Sequence, residues 1–343
     1  MLANIWNTVY PILIAILFFE LIIIIHEGGH FVAARLMKIK VNEFSIGMGP
    51  KLIQFKKGDT KYTLRLILFG GYCAMEGESE DSDDENSFAK KKVWRRFFVV
   101  VAGALMNLIL GFLVIVIMLS SGSLIGTTEI AKFDDKAVSS ATLKQGDIIK
   151  SIDGMRVYTS TDVTTGLSRS GDDTLDMTVL RDGKTLDLKV KFNMEKYEGR
   201  NFINMDFWLV GNKKTVGGVI KESFKEWVSF TRMVFLSVHD MIVGKYGLSD
   251  LAGPVGTVSV VSTAVKTSAY SMLRIMALLT INVGLFNLFP IPALDGWRLL
   301  LIFEGIFKRK LPDKWDWAIN AVGLVLLLGL MCVITFSDIT KLL

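Results

Sequence analysis

Four stretches of the chain are apolar for long enough to cross a bilayer, and between them the pattern shifts to short alternation. A membrane-spanning helix needs about 20 predominantly apolar residues. Residues 9–37, 97–120, 272–289 and 318–336 read as such spans. Residues 41–75 instead form short alternating runs around turn glycines, as in Lys51-Leu52-Ile53-Gln54-Phe55, Lys57-Gly58-Asp59 and Tyr62-Thr63-Leu64-Arg65-Leu66-Ile67. That pattern predicts β-hairpins ending at Gly70-Gly71-Tyr72. A sheet edge cannot face lipid unpaired, so these strands are expected against helices or at the membrane interface. Residues 76–87 carry Glu78, Glu80, Asp81, Asp83, Asp84 and Glu85 with almost nothing apolar, which predicts a disordered, solvated loop rather than an ordered calcium loop.

Between the second and third spans, residues 125–192 change to the pattern of a water-facing α/β module. Leu143-Lys144-Gln145-Gly146-Asp147 turns into a strand at 148–152, Asp153-Gly154 makes a hairpin turn, and residues 161–167 suit a capped helix. Residues 175–180 and 186–192 alternate about a second turn, Asp182-Gly183. The run G-D-x-I-x-x-I-D-G followed by a helix and a hairpin resembles a PDZ domain, and that resemblance implies a groove accepting an extended peptide by strand addition. Residues 217–250 place Phe224, Trp227, Phe230, Val234 and Val238 at near-helical spacing among Lys221, Lys225, Arg232 and Asp240. This predicts an amphipathic helix on the outer membrane surface, with His239 as a surface histidine. Leu251-Ala252-Gly253-Pro254-Val255-Gly256 breaks it.

Composition agrees with a mixed architecture. With 51% hydrophobic and 21% charged residues in 343 and a mean hydropathy of +0.43, the chain is too apolar for an ordinary soluble protein and too charged to be helices in lipid alone. Cys73 and Cys332 are the only cysteines and sit in unlike contexts, so neither a disulfide framework nor a thiolate metal site is indicated. The net charge of +5 gathers beside the spans, not among aromatic positions, so positive-inside topology accounts for it better than nucleic acid. No Lys or Arg precedes Tyr10, whereas residues 35–96 include Lys90-Lys91-Lys92 and Arg95-Arg96. The N-terminus is therefore expected outside, that loop in the cytoplasm together with Lys308, Arg309, Lys310 and Lys314, and both termini outside after four spans. The first span lacks a basic leader and a small-residue cleavage site, so it is read as an anchor.

The candidate chemistry begins at His26-Glu27-Gly28-Gly29-His30, at the end of the apolar run 12–25. Histidines four apart on a helix share a face and can reach one metal ion. In H-E-x-x-H the carboxylate is not a ligand; it takes the proton of the water that attacks a carbonyl. Ionisable groups in a membrane segment are costly, so three together argue for function. Gly28 and Gly29 weaken a helix by about 1 kcal/mol each and are explained if a neighbouring backbone comes close. A catalytic zinc site commonly has three protein ligands. Ala33 and Leu36 exclude the metzincin continuation. Asp295 follows two helix-breaking prolines, Pro290 and Pro292, at the expected depth of His26 and His30, and is the preferred third ligand over Glu43 and Asp59; the competing role for it is to cap the helix beginning at Gly296-Trp297.

H-E-x-x-H at 26–30, G-G-Y at 70–72, Ala102-Gly103 with Asn107, the PDZ-like insert, G-P-V-G at 253–256 and N-x-x-P-x-P-x-L-D-G at 287–296 together resemble the site-2 protease family of intramembrane zinc metalloproteases, of the bacterial single-PDZ type that cuts anti-sigma factors. The resemblance covers nearly the whole chain. It implies zinc bound by His26, His30 and Asp295, Glu27 as base, and Asn282 and Asn287 helping to hold the substrate backbone. It also implies that the hairpins reaching Gly70 and Gly71 form a membrane re-entrant β-loop beside the substrate. The chain departs from the family where Gly28 replaces a bulky apolar residue, Ala104 a proline and Trp297 a glycine; Trp297 is expected to narrow the site.

The expected fold is a polytopic α-helical membrane protein with a re-entrant β-hairpin region and an inserted α/β PDZ-like domain, in the order 1–40, 41–75, 76–96, 97–121, 122–195 (PDZ-like), 196–270 (outer amphipathic segment), 271–307 and 308–343. Expected partners are membrane-protein substrates with a transmembrane helix, including anti-sigma-factor or signal-peptide-type substrates, a peptide C-terminus or extended segment at the PDZ-like domain, and the lipid bilayer, with no nucleic acid. The competing classes are an intramembrane metal-ion or proton transporter and an inactive PDZ scaffold. The first predicts polar residues along the spans and an inverted repeat, and neither is evident; the second leaves Glu27 without a purpose.

Overall fold

Helix α1 (Leu2–Leu36) runs unbroken through Gly28 and Gly29 in the computed structural model, which describes residues 2–78, 82–197, 200–245, 247, 251–306 and 313–342. Glu80, Asp81, Lys308, Arg309, Lys310 and Leu343 lie outside the described residues. The chain separates into two units, Met1–Val114 with Val238–Leu343, and Ile115–Ser237.

In the first unit, α1 is followed by β1 (Val41–Lys57), β2 (Thr60–Met75) and α2 (Val93–Ser121), whose last turns enter the second unit. Among the described residues, four helical stretches, Val9–Leu36, Val93–Ser121, Ala269–Asn287 and Lys314–Lys341, are long and apolar enough to cross a membrane. Water supplies no force to join helices in lipid, so they associate where small residues let backbones meet. Gly29 is such a place: a Cβ there would stand 2.5 Å from the Ala102 carbonyl oxygen of α2. Gly111 has the same role, since its Cβ would meet Ile281 at 2.5 Å.

The strands β1 and β2 form one doubled-back antiparallel ribbon. Residues 41–46 pair with 71–75 on one side, residues 43–46 with 61–64 on the other, and residues 51–57 with 60–65. Gly47 (φ +79°) and Gly70 (φ +98°) stand at its bends, in a region that other residues enter only with strain. Arg65 holds the bends together, donating to the Gly49 carbonyl at 2.7 Å, Ser45 Oγ at 2.9 Å and Glu43 Oε1 at 3.0 Å. Met48, Leu52, Ile53, Phe55, Leu66 and Ile67 project outward and are half or more exposed.

The acidic stretch expected to be disordered is instead docked in its described part. Lys40 N–H donates to the Asn86 carbonyl, Glu76 N–H to the Lys40 carbonyl and Phe88 N–H to the Glu76 carbonyl. Lys40 Nζ reaches Asp84 at 2.9 Å, and Ser87 is fully buried. Like charges are tolerated because cations from neighbouring segments answer them, a pairing that charge density along the chain does not reveal.

In the second unit, β3 (Ile125–Phe133), β4 (Ile148–Ile152), β5 (Met155–Arg156), α3 (Ser160–Arg169), β6 (Thr174–Arg181), β7 (Lys184–Lys191), β8 (Met194–Tyr197), β9 (Arg200–Ile203) and β10 (Phe207–Asn212) precede α4 (Val216–Ile242). The main sheet runs β10-β3-β4-β6-β7, with β5 on β4 and β8-β9 a separate hairpin. Asp153-Gly154 and Asp182-Gly183 all have positive φ, as tight hairpin turns demand. The sheet therefore extends to Asn212, past the boundary expected at 195, because β10 pairs with β3, Phe207 standing opposite Phe133 although the two are far apart in sequence. Ile130, Leu143, Ile149, Leu175, Met177 and Phe192 fill its core. Helix α3 begins with a reciprocal capping box between Thr159 and Asp162. The polar face of α4 is not wholly at a surface: Ser229 Oγ donates to Asp162 Oδ2 at 3.0 Å, Arg232 pairs with Asp162 Oδ1, and Thr161 donates to Glu226. Of its apolar stripe, Phe230 and Val234 are buried while Phe224 is exposed.

The segment 251–270, expected as part of one amphipathic stretch, forms α5 (Pro254–Thr267) in the first unit, packed against α1, α6 (Ala269–Asn287) and α8 (Asp313–Leu342). Gly253 has no side chain to cap α5, and the buried Asp338 of α8 supplies the missing acceptor, taking the Gly256 N–H at 2.8 Å. A Cβ on Gly256 would stand 2.9 Å from that carboxylate, which explains the small residues of G-P-V-G. Helix α7 (Asp295–Ile306) precedes α8.

A charge pair anchors the sheet of the second unit. Asp147 is fully buried and accepts from Arg181 Nε and Nη2, both at 2.7 Å, and from Lys144 N–H at 2.8 Å. Burial alone raises its pKa, but the Arg181 guanidinium and the Lys144 amide outweigh burial and hold it below the usual carboxylate range. A depressed folded pKa contributes stability above the unfolded value of about 3.9 that disappears as pH falls through the folded one. Asp147→Ala is expected to cost about 3 kcal/mol and to remove that carboxylate's own contribution to acid sensitivity below about pH 4. Proteolysis-monitored unfolding of the intact chain in detergent measures both.

Candidate active site

One face of α1 presents His26 and His30, whose Nε2 atoms are 3.2 Å apart and whose rings are nearly perpendicular. Asp295 meets them from a segment more than 260 positions later: its Oδ2 lies 3.0 Å from His26 Nε2 and 3.1 Å from His30 Nε2. Both histidines are buried. Helix α2 makes room for this group. A Cβ on Gly103 would stand 2.3 Å from His30 Nε2, and the Val99 carbonyl accepts from His30 Nδ1 at 2.9 Å.

Asp295 is delivered by the proline turn. Ala293 adopts φ +73°, its N–H donates to Asn320 Oδ1 at 2.9 Å, and Pro292 packs where Gly323 of α8 leaves space. At Gly296 a Cβ would overlap the Phe289 carbonyl oxygen at 2.0 Å. The turn thus has a packing partner in α8 and aims the carboxylate at the histidines. Trp297 faces away from this point, its indole N–H donating to Asp316 at 3.0 Å, so it ties α7 to α8 instead of narrowing the cavity.

Glu27 opens onto a cavity of about 330 Å³ together with His30, Asp295 and residues 72–75 of β2. Those strand residues pair with β1 through one edge, and the other has no strand partner among the described residues. A Cβ at Gly71 would lie 2.8 Å from the Ser45 carbonyl oxygen and 3.7 Å from Glu27 Cγ, so glycine lets the ribbon come up to α1. Glu78 and Arg298 join across this cavity at 2.5 Å. That pair was not legible beforehand, although Arg298 stands one helical turn beyond Asp295.

The other candidates fall elsewhere. Glu43 is engaged by Arg65, Asp59 lines a separate cavity of about 490 Å³ beside Arg35, and neither joins the three-residue group. Asn282 and Asn287 lie on α6, half-buried, and neither lines the cavity beside Glu27. His239 is exposed beside Asp240, as expected of a surface histidine.

The donor set fits zinc. Bonds of about 2.0–2.2 Å in a tetrahedron hold their donors about 3.3–3.5 Å apart, and the three atoms here need open only by a few tenths of an ångström. With Nδ1–H of His30 committed to the Val99 carbonyl, a neutral ring would turn its lone pair at Nε2 toward His26 Nε2 and Asp295 Oδ2. Such a convergence asks for a cation.

Membrane-length helices carry a buried His-His-Asp group able to hold a metal ion, with a glutamate beside it in an open cavity, an arrangement suited to a membrane metalloenzyme. Residues 14–330 match Peptidase family M50. The chain belongs to that family, is a zinc metalloprotease, and is a multi-pass membrane protein. It is 34% identical to a Clostridium perfringens protein provisionally named a zinc metalloprotease, over 96% of this chain and 98% of the relative. It is 31% identical to a similarly named Fusobacterium nucleatum protein, over 96% and 98%. It is 27% identical to the regulator of sigma-W protease RasP of Bacillus subtilis, over 95% and 97%.

The contact at Gly103 makes a direct test. Gly103→Ala puts a methyl where the His30 ring sits, and is expected to lower zinc content and proteolysis together while leaving membrane insertion intact. Metal analysis of the purified variant reads the result; full zinc occupancy would show that His30 does not need this space.

Proposed function

We propose that His26, His30 and Asp295 are the zinc ligands, that Glu27 is the general base, and that the enzyme hydrolyses a peptide bond within or near a transmembrane segment of another protein. The observation that carries this reading is the meeting of three donor atoms from α1 and α7 within 3.0–3.2 Å, beside a cavity that Glu27 lines. Zinc supplies Lewis-acid polarisation of the scissile carbonyl and lowers the pKa of water to about 7. Glu27 takes the proton of the attacking water and hands it to the leaving amine. A helix hides its carbonyls in its own hydrogen bonds, so the substrate must unwind before cleavage. The free edge of residues 71–75 beside Glu27 supports edge pairing that would hold the unwound segment extended.

The outward apolar residues of the ribbon, Leu52, Ile53, Phe55 and Leu66 among them, support its reading as a re-entrant β-loop in contact with lipid. The Asp153-Gly154 turn, capped α3 and edge position of β10 support a PDZ-like module that filters substrates by their extracytoplasmic part. Asn282 and Asn287 remain candidates for holding substrate backbone on α6. By these assignments the enzyme acts in regulated intramembrane proteolysis; the Bacillus subtilis relative is named a regulator of sigma-W protease. The distribution of Lys and Arg supports a cell-membrane location with both termini outside and the active site toward the cytoplasm.

Two substitutions separate the roles. Asp295→Ala leaves two histidines and is expected to lose both zinc and cleavage, whereas Glu27→Gln keeps the ligands, retaining zinc while cleavage of a model membrane helix falls at least about a hundredfold. Tight zinc binding by Asp295→Ala would remove that residue from the ligand set, and wild-type cleavage by Glu27→Gln would end the hydrolytic mechanism. Topology is checked by reporter fusions: positions Asn86 and Lys310 are expected to read cytoplasmic, and Asp182 and Leu343 outside.

A further inference from the structure

Three positions at successive turns of α2 face the proposed ligands: Val99, Gly103 and Asn107, spaced four apart. The first accepts from His30 and the second makes room for it. The third concerns His26. Asn107 is fully buried, and the end of its side-chain amide lies 3.3 Å from His26 Nδ1. The opposite ring nitrogen, Nε2, faces His30 and Asp295.

Which end of the amide faces the ring decides the state of His26. If the nitrogen faces it, the amide donates to Nδ1, the ring proton is forced onto Nε2, and that atom has no lone pair for a metal. If the oxygen faces it, Nδ1–H donates and Nε2 is left free. The Asn107 oxygen has no hydrogen-bond partner among the described residues when the nitrogen faces the ring. Turning the amide over leaves one end unpartnered in either case, so that cost nearly cancels, and the requirement at Nε2 settles the choice.

We infer that Asn107 is a positioning residue that sets the His26 tautomer: in the zinc-loaded enzyme its Oδ1 accepts from Nδ1–H, as the Val99 carbonyl does for His30. This rests on the ligand assignment proposed above. One helix would then hold the rings of both histidine ligands, one through its backbone and one through a side chain. Partners of this kind raise ligand basicity and typically contribute 10–100-fold to metal affinity.

The test is zinc affinity, measured by chelator competition on detergent-purified full chain for wild type, Asn107→Leu, Asn107→Asp and Asp295→Ala. Asn107→Leu removes the acceptor and is expected to weaken zinc about 10–100-fold. Asn107→Asp keeps the shape and accepts more strongly but cannot donate, so it is expected to match or exceed wild-type affinity. Weakened binding in Asn107→Asp would show that the amide acts as donor and overturn the inference, as would wild-type binding in Asn107→Leu. If Asn107→Leu does not fold, the Asp variant alone decides. Unchanged affinity in Asp295→Ala would instead mark a failure of the ligand set, separately from Asn107.

Discussion

Two histidine nitrogens and a carboxylate oxygen held about 3 Å apart inside a bundle of apolar helices need a proton or a metal ion between them. The meeting of His26, His30 and Asp295 is therefore the constraint around which the first unit is built. Helix α1 can supply two donors from one face, but the third must arrive from a different segment at the same depth. The proline turn before α7 provides it, and its strained shape survives because α8 receives it at Gly323 and Asn320. Close approach of α1 to α2 at Gly29 and Gly103 then brings backbone and side-chain partners within reach of the two rings.

On the proposed function, the substrate would run beside this same close contact. A polar cavity inside an apolar bundle needs a wall with hydrogen-bonding capacity, and a helix has none to spare. The ribbon offers its strand edge at residues 71–75, brought to α1 by Gly71 and fastened at its bends by Arg65. Glycines at Gly47 and Gly70 give the turns that let a single hairpin double back into such a wall. Across the cavity, the Glu78–Arg298 pair joins the end of β2 to α7, the helix that carries Asp295.

Much of this was legible in the chain by itself. Long apolar runs can be satisfied in lipid only as helices, so the four spans followed from length and hydropathy. H-E-x-x-H is a local pattern whose geometry is dictated by helical pitch, so the pairing of His26 with His30 needed no tertiary information. The capping of α3 and the turns at Asp153-Gly154 and Asp182-Gly183 were likewise local, because their hydrogen bonds close within a few residues.

What only the tertiary structure decided involves groups far apart in sequence. The acidic stretch before α2 looked unable to fold because its partners, Lys40 and the backbone of the α1–β1 connection, are not its neighbours along the chain. The membership of β10 in the sheet and of α5 in the helical unit rests on pairing with β3 and on a cap donated by Asp338, neither marked by local periodicity. Trp297 seemed to crowd the metal from its position beside Asp295, yet its direction was set by a hydrogen bond to Asp316. Sequence by itself marked the candidate groups, since residue type and helical pitch are local; the fold decided which of them meet, since orientation across helices depends on where glycines allow contact and where a distant partner satisfies a buried polar atom.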